Sequence, residues 1–130
     1  MADLLILAHG GSWEMRFQIS SLAASAAAAG DHVDVAMFFA ALDSWAGGRW
    51  DDLDPQPPLT ADRLASFGMP PLSEMLAPGR EEGLIRIYAC SATTRLLGLD
   101  PARVQAAVDV LLGWQSFSRM IREAGRVVTL

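Results

Sequence analysis

The chain has 130 residues, of which 52% are hydrophobic, and this length is typical of one domain. Its 15 acids outnumber its 10 bases, all of which are arginine, and the net charge of -5 argues against a nucleic-acid-binding protein. The absence of lysine excludes a P-loop, a Schiff-base lysine and a pyridoxal phosphate site. The single cysteine, Cys90, excludes an internal disulfide and a CxxC redox pair. Two histidines leave little for a zinc site, so we expect no metal and no cofactor.

The first residues do not resemble a targeting sequence or a membrane span. Asp3 stands where a signal peptide carries basic residues, and the apolar run from Leu4 to Ala8 is too short for a signal core. No stretch reaches the roughly 18 apolar residues that a membrane-spanning helix needs. We therefore expect a soluble, cytoplasmic protein with no membrane partner.

Strand and helix signals alternate from the start of the chain. The apolar run from Leu4 to Ala8 predicts a buried strand. Ser12 predicts the start of a helix from Trp13 to Ala29, which Gly30 ends. A second strand is expected from Val33 to Phe39.

Residues 40 to 58 predict a long loop, because they contain Gly47-Gly48, the acids Asp51, Asp52 and Asp54, and three prolines. Loops of this length are usually functional or disordered. We expect Trp45 and Trp50 within it to belong to a lid or to contact another subunit. Asp51, Asp52 and Asp54 lack the glycine and the terminal glutamate of an EF-hand, so we expect a solvated acidic loop.

The alternation continues to residue 130. A weak helix is expected over 59–66, and a short helix after Met69-Pro70-Pro71 is expected to end at Pro78-Gly79. The remaining predicted elements are a strand over 84–89, helices over 91–97 and from Pro101, a strand over 108–112, a helix over 114–124 and a strand over 127–130. This pattern predicts one α/β domain over 1–130, with a mainly parallel sheet of about five strands and helices on both faces.

In such a sheet, ligands bind outside the carboxyl ends of the strands. Four sequence segments should therefore meet at one edge: His9-Gly10-Gly11, Ala40 with the long loop, Cys90-Ser91, and Gly113-Trp114. The only cysteine and one of the two histidines fall among them.

Cys90 is the candidate reactive residue because a helix start follows its strand. The free N–H groups of residues 92–94, including Thr93, would point toward the sulfur and favour a thiolate. Ser91 and Thr93 are the neighbouring candidates for binding. The alternative is that Cys90 is a small hydrophobic core residue, which is the commoner role of a single cysteine.

The other candidate binding residues each have a structural alternative. His9 is either a base or binder near Cys90 or a polar turn residue. Gly10 and Gly11 either admit an anion close to the backbone at a helix start or form a simple turn, and they lack the spacing of a dinucleotide fingerprint. Trp114 either lines the pocket or opens the last helix as a core residue.

Several segments resemble the DsrE/DsrF-like sulfur-relay family, in its stand-alone, peroxiredoxin-like branch. The main resemblance is residues 83–91, GLIRIYACS, followed by Leu97-Gly98-Leu99. The strand Val33 to Phe39, the segment Pro71 to Leu76 and the segment from Val108 to Gly113, then Phe117, are similar in order and spacing. The similarity covers most of the chain.

The resemblance implies a three-layer α/β/α fold with a five-stranded sheet, assembled as a homo-oligomer, either a trimer or a hexamer. It implies that Cys90 carries sulfur as a persulfide, received from a donor protein and passed to an acceptor protein. A peroxidase activity is not expected, because the chain has no second thiol to resolve an oxidised Cys90.

Three functions are compatible with these observations. The first is a sulfur carrier with sulfurtransferase-like chemistry, which requires an accessible, acidic Cys90. The second is a non-catalytic module that binds a small ligand or supports assembly, in which Cys90 has no chemical role. The third and weakest is a thiol hydrolase or reductase, which requires His9 within hydrogen-bond reach of Cys90.

Overall fold

Five strands form one sheet in the computed structural model, which describes residues 1–55 and 59–130. The strands are β1 (Leu4–Ala8), β2 (Val33–Met37), β3 (Ile85–Cys90), β4 (Val110–Leu112) and β5 (Arg126–Thr129). All of them pair in parallel, in the order β4-β3-β2-β1-β5. The predicted α/β fold with a parallel five-stranded sheet is confirmed.

Seven helices connect the strands in the described residues. They are α1 (Trp13–Ala28), α2 (Phe39–Ala46), α3 (Ala61–Ser66), α4 (Leu72–Glu81), α5 (Ser91–Leu96), α6 (Pro101–Ala107) and α7 (Trp114–Glu123). None of the helices in the described residues is long and apolar enough to cross a membrane.

The strand order determines which helix covers which face of the sheet. From β1 to β4 the strands advance in one direction, so right-handed connections place their helices on one side. The connection through α7 returns across the sheet to β5, which places α7 on the opposite side. The two buried clusters agree with this arrangement: one joins alternate strand residues to α1, α4 and α6, and the other joins the remaining strand residues to Phe117 of α7.

The predicted loop over residues 40–58 is wrong in its first part. Residues 39–46 form α2, because Ala41, Leu42 and Ala46 bury one face of a helix in the core. The glycines and prolines of residues 40–58 predicted a loop, because local composition does not report tertiary packing. The irregular segment begins at Gly47, and the prolines at 57 and 58 lie outside the described residues.

The predicted end of a helix at Pro78-Gly79 is also wrong. Helix α4 continues through Pro78 to Glu81, although an interior proline removes one backbone hydrogen bond. Gly79 is buried, and a Cβ atom there would lie 2.5 Å from Ile85 Cδ1 and 3.2 Å from Ala27 Cβ. Close packing of α4 on α1 and β3 therefore outweighs the local cost of the proline. The other elements begin and end within two residues of their predicted bounds.

Candidate functional site

The carboxyl ends of the strands lie along one edge of the sheet because all five strands are parallel. His9 follows β1, Phe38 follows β2, Cys90 ends β3, and Gly113 precedes Trp114 after β4. We call these five residues the rim. Segments that are distant in sequence are thus brought to the same edge, as the alternation predicts.

Three aromatic rings of the rim are stacked in a row. The ring centroids of His9 and Phe38 are 4.9 Å apart, and those of Phe38 and Trp114 are 5.0 Å apart. Phe38 is buried, His9 is exposed and Trp114 is 49% exposed. Phe117 packs against Phe38 and Trp114 from below, with centroid distances of 5.2 and 5.9 Å. The stack therefore exposes the His9 imidazole and the Trp114 indole to solvent, and each ring is held by its contact with Phe38.

Cys90 lies inside the protein, and the expectation of an accessible thiol is wrong for this structure. Its exposed fraction is 0%, and it belongs to a buried apolar cluster with Phe38 and Phe117. Cys90 occupies the N-cap position of α5, but its side chain makes no capping hydrogen bond, so the expected approach of helix N–H groups to the sulfur is absent. Its carbonyl accepts a hydrogen bond from the Thr94 hydroxyl at 2.9 Å. Among the described residues no hydrogen bond joins its thiol to His9, which removes the support for a Cys–His hydrolase.

The two polar candidates after Cys90 differ in accessibility. Ser91 is half-buried, and its Oγ lies 3.7 Å from the place a Cβ atom on Gly113 would take, so it faces the gap between β3 and β4. Thr93 is only 1% exposed. Ser91 can therefore reach a ligand at the rim, whereas Thr93 faces the interior.

The glycine pair after β1 is required for packing. A Cβ atom on Gly10 would lie 2.6 Å from Met15 Cβ, and one on Gly11 would lie 2.5 Å from Ala40 Cβ. The Gly11 carbonyl also accepts a hydrogen bond from Arg16 Nε at 3.0 Å. The turn between β1 and α1 thus fits closely against α1 and the start of α2.

An internal carboxylate occupies the position expected for a bound anion at the start of α1. The Trp13 N–H donates to both carboxylate oxygens of Asp54, at 3.2 and 3.0 Å, and the Ser12 side chain accepts from Met15 N–H. Helix N-termini favour negative charge. Because Asp54 supplies it, the anion site proposed from Gly10 and Gly11 is already filled.

The same carboxylate pairs with a buried arginine that the sequence prediction missed. Arg16 is 4% exposed, and its Nη2 lies 3.2 Å from Asp54 Oδ1. Its Nη1 donates to the carbonyls of Arg49 and Trp50, at 2.8 and 2.6 Å. Together these contacts hold residues 49–54 against α1. The signal that would have identified Arg16 is the helical spacing of the residues that α1 buries. They include Trp13, Arg16, Ser20, Ala23 and Ala27.

The predicted lid or subunit role of the two tryptophans after β2 is not supported. Trp50 is 3% exposed, and its Nε1–H donates to Ser20 Oγ at 2.9 Å. Trp45 packs edge-on against Trp50 and donates to the Ala107 carbonyl at 2.7 Å. Trp50 is a core residue, and Trp45 is half-buried against the core, and both indole N–H groups have acceptors within the chain.

Two of the three loop acids also have internal partners, although Asp51 stays exposed, so the expected solvated acidic loop is wrong only for the half-buried Asp54. Asp51 accepts from the backbone N–H of Ser73 at 2.7 Å and from its hydroxyl at 2.6 Å, which caps the start of α4. Asp54 caps α1, and Asp52 is exposed. In residues 1–55 and 59–130, no group of three or more histidine, cysteine, aspartate or glutamate residues is placed to hold a metal ion.

Phe39, at the start of α2, has a strained backbone. Its φ is 42°, a value that only glycine adopts without cost, and its ring is 47% exposed. It lies directly after Phe38 and before Ala40, which contacts Gly11. The close fit between the turns after β1 and β2 thus keeps this residue in an unfavourable conformation beside the rim.

A polar pair interrupts the sheet face that carries Cys90. Burial raises the pKa of Asp34 on β2, while the positive charge of Arg86 opposes this shift. Burial also raises the pKa of Tyr88 on β3, and the negative charge of Asp34 adds to that effect. Arg86 lies over the Tyr88 ring, with its guanidinium carbon 5.6 Å from the ring centroid.

No protein-family model matches the chain, and no curated protein matches it. Among solved structures, the chain is similar to the protein of unknown function MTH1491 from Methanobacterium thermoautotrophicum, with a TM-score of 0.63 and 14% sequence identity. The match covers 98% of this chain and 97% of that one. At this identity the likeness supports the fold, and membership of the DsrE/DsrF-like family stays a prediction.

Proposed function

We propose that this protein is a sulfur carrier, with sulfurtransferase-like chemistry at Cys90. The observation that carries the proposal is the place of Cys90: the only thiol of the chain is the last residue of an inner parallel strand, at the edge where open α/β sheets bind their ligands. The resemblance of residues 83–91 to sulfur-relay proteins supports the same residue. The partners would be a protein that donates sulfur and a protein that accepts it.

The proposed reaction needs no external oxidant. The Cys90 thiolate attacks the outer sulfur of a persulfide on the donor, the donor's sulfur–sulfur bond breaks, and the donor leaves as a thiolate. Cys90 then carries the outer sulfur as its own persulfide. A thiolate of the acceptor attacks that sulfur and releases the Cys90 thiolate. The thiol must be reduced before each cycle, which suits a cytoplasmic location.

Burial of Cys90 adds a condition to the reaction. A thiolate cannot attack a donor from inside an apolar cluster, so the segments that cover Cys90 must open first. The cover includes Phe38 and Phe117, together with the half-buried Ala92 and Leu112. Local opening of this kind costs less free energy than global unfolding.

Assembly into a trimer or hexamer is part of the proposal. On the sheet face that carries Cys90, α7 is a helix of ten residues, and it leaves part of the face open. Arg86 on β3 is exposed there, and Val110 and Leu112 on β4 are only half-buried. A second subunit would remove this apolar strand surface from water.

The test is to incubate the protein with glutathione persulfide and measure its intact mass. We expect a gain of one sulfur atom, lost again on addition of a protein or small-molecule thiol acceptor. Cys90→Ala should take up no sulfur and should keep the circular dichroism spectrum and the oligomeric state of the original protein. Iodoacetamide serves as a control for access. If iodoacetamide labels Cys90 but the persulfide adds no sulfur, the proposal is wrong.

The second candidate is a binding or assembly module, and the buried thiol and the solvent-facing aromatic stack favour it. In this function His9 and Trp114 would contact a small ligand and Cys90 would only fill the core. Cys90→Ala would then lower stability and leave binding unchanged, whereas the sulfur-carrier function predicts loss of activity.

A further inference from the structure

The outward face of α7 combines an exposed indole with two arginines. Trp114, Gln115, Ser118, Arg119 and Arg122 line a shallow, wide-open groove of about 550 Å³ along this helix face. All five side chains are exposed, while Phe117 and its neighbours Met120 and Ile121 face the core. We call these five outward residues the α7 groove.

The indole of the α7 groove is held in place before anything binds. Trp114 stacks on Phe38 at 5.0 Å and packs edge-on against Phe117 at 5.9 Å, yet half of its surface is open to water. A side chain that is already ordered loses little conformational entropy on binding. Tryptophan and arginine are also the residues that most often dominate binding energy in protein interfaces.

The charge of the α7 groove is opposite to that of the protein. The whole chain carries -5, but residues 114–122 contain two arginines and no acid. In the described residues neither Arg119 nor Arg122 forms an ion pair, although Glu123 is adjacent to Arg122 and one turn from Arg119. Arg122 lies in the last turn, where the helix dipole favours a cation, but that effect needs no exposed tryptophan beside it.

We propose that the α7 groove binds an acidic, extended segment of a different protein. Trp114 and Arg122 are eight residues apart, which is about 12 Å along a helix. An extended peptide covers that distance in about four residues. The segment would therefore place an apolar side chain on Trp114 and carboxylates about two and four positions further on, against Arg119 and Arg122.

Two other occupants fit the groove less well. A second copy bound by two-fold symmetry would place the arginines of one groove against those of the other, because the groove contains no acid. A nucleic acid would be repelled by the net charge of -5 at long range, and two arginines contact few phosphates. The proposal does not depend on the chemistry of Cys90, and binding can be measured in Cys90→Ala.

The test uses a short fluorescein-labelled peptide with one phenylalanine followed by a run of glutamates, and fluorescence anisotropy measures its binding. We expect binding that weakens as salt is added and that is lost when glutamines replace the glutamates. Arg119→Glu/Arg122→Glu should weaken binding at least tenfold, and Trp114→Ala should weaken it several-fold. The matched control is Arg95→Glu/Arg103→Glu, which makes the same charge change at two other exposed arginines and should leave affinity within twofold.

Three results would overturn the proposal. One is an absence of binding to the original protein at low salt. Another is an equal loss of affinity in the control double variant, which would indicate a general charge effect. The last comes from sedimentation: if Arg119→Glu/Arg122→Glu converts an oligomer into a monomer, the groove is a contact between copies of this chain.

Discussion

Asp54 takes the place that a bound anion would have at the start of α1. Its carboxylate accepts from the Trp13 N–H and lies 3.2 Å from Nη2 of the buried Arg16. Both contacts join the segment after α2 to the first helix. A single side chain thus closes an apparent ligand site and fixes an irregular stretch of backbone.

Removal of this carboxylate should destabilise the protein. We expect Asp54→Ala to lower the free energy of unfolding by about 2 kcal/mol, because a helix cap contributes about 1 kcal/mol and the buried Arg16 loses an acceptor. Urea denaturation measures the change. Asp52→Ala is the control, since Asp52 is exposed, and it should change stability by less than about 0.5 kcal/mol. Equal effects of the two variants would contradict the role of Asp54.

Asp34 should make stability depend on pH in an unusual direction for a carboxylate. Burial raises the pKa of Asp34 above its usual value, so at intermediate pH the folded protein holds a proton that the unfolded chain has lost. Ionisation of Asp34 therefore costs stability above its folded pKa, and this cost disappears as pH falls below the usual value of about 3.9.

We expect Asp34→Asn to be more stable than the original protein at pH 7, and the difference to shrink as pH falls below the raised pKa and to reach zero below about 3.9. Urea denaturation of both proteins across the acidic range measures it. A variant that is less stable at pH 7 would show that the contacts of the carboxylate with Arg86 and Tyr88 outweigh its burial.

At the level of secondary structure, the turn between β2 and α2 stores strain at Phe39. Both Phe39→Gly and Phe39→Ala remove the ring, so the difference between them isolates the backbone at a φ of 42°. Glycine should be the more stable replacement by about 1 kcal/mol, because alanine keeps the left-handed strain. Thermal or urea denaturation measures the difference. If alanine is as stable as glycine, Phe39 is not strained.

The sequence was sufficient for the elements whose local signals agree with their packing. The apolar run of β1 and the cap and glycine around α1 are examples. It was insufficient for α2 and for α4 beyond Pro78, because tertiary contacts there outweigh the local signals of loop residues. Strand order could not be predicted either, because no local sequence signal indicates which strand β5 pairs with.

The candidate site could likewise be predicted from the sequence only in part. Parallel strands bring His9, Cys90 and Trp114 to one edge, and the alternation of elements is enough to predict this. After β2 the prediction placed Ala40 at the edge, whereas the strand ends earlier and places Phe38 there. The burial of Cys90 depends on how Phe117 and its neighbours cover the sheet, which the spacing of residues in β3 does not reveal. Asp54 and Arg16 lie 38 residues apart in sequence, so their pairing appears only in the fold.

At the level of the whole molecule, the two faces of the sheet are covered unequally. Helices α1, α4 and α6 pack against one face, whereas α7 is the helix that contributes its buried side chain to the cluster on the other. The thinly covered face holds Cys90, the aromatic stack and the α7 groove. Every function proposed for this protein therefore depends on one helix and the strand surface beneath it.

The late position of α7 has a consequence for how the protein is made. The ribosome synthesises β1 to β4 before α7 and β5. Until α7 is made, no helix can cover the apolar residues Leu5, Leu7 and Phe38. A nascent chain at that stage leaves these apolar residues uncovered, and exposed apolar surface of this kind favours aggregation and chaperone binding. Residues 114–129 supply both α7, which covers this face, and β5, which pairs with β1.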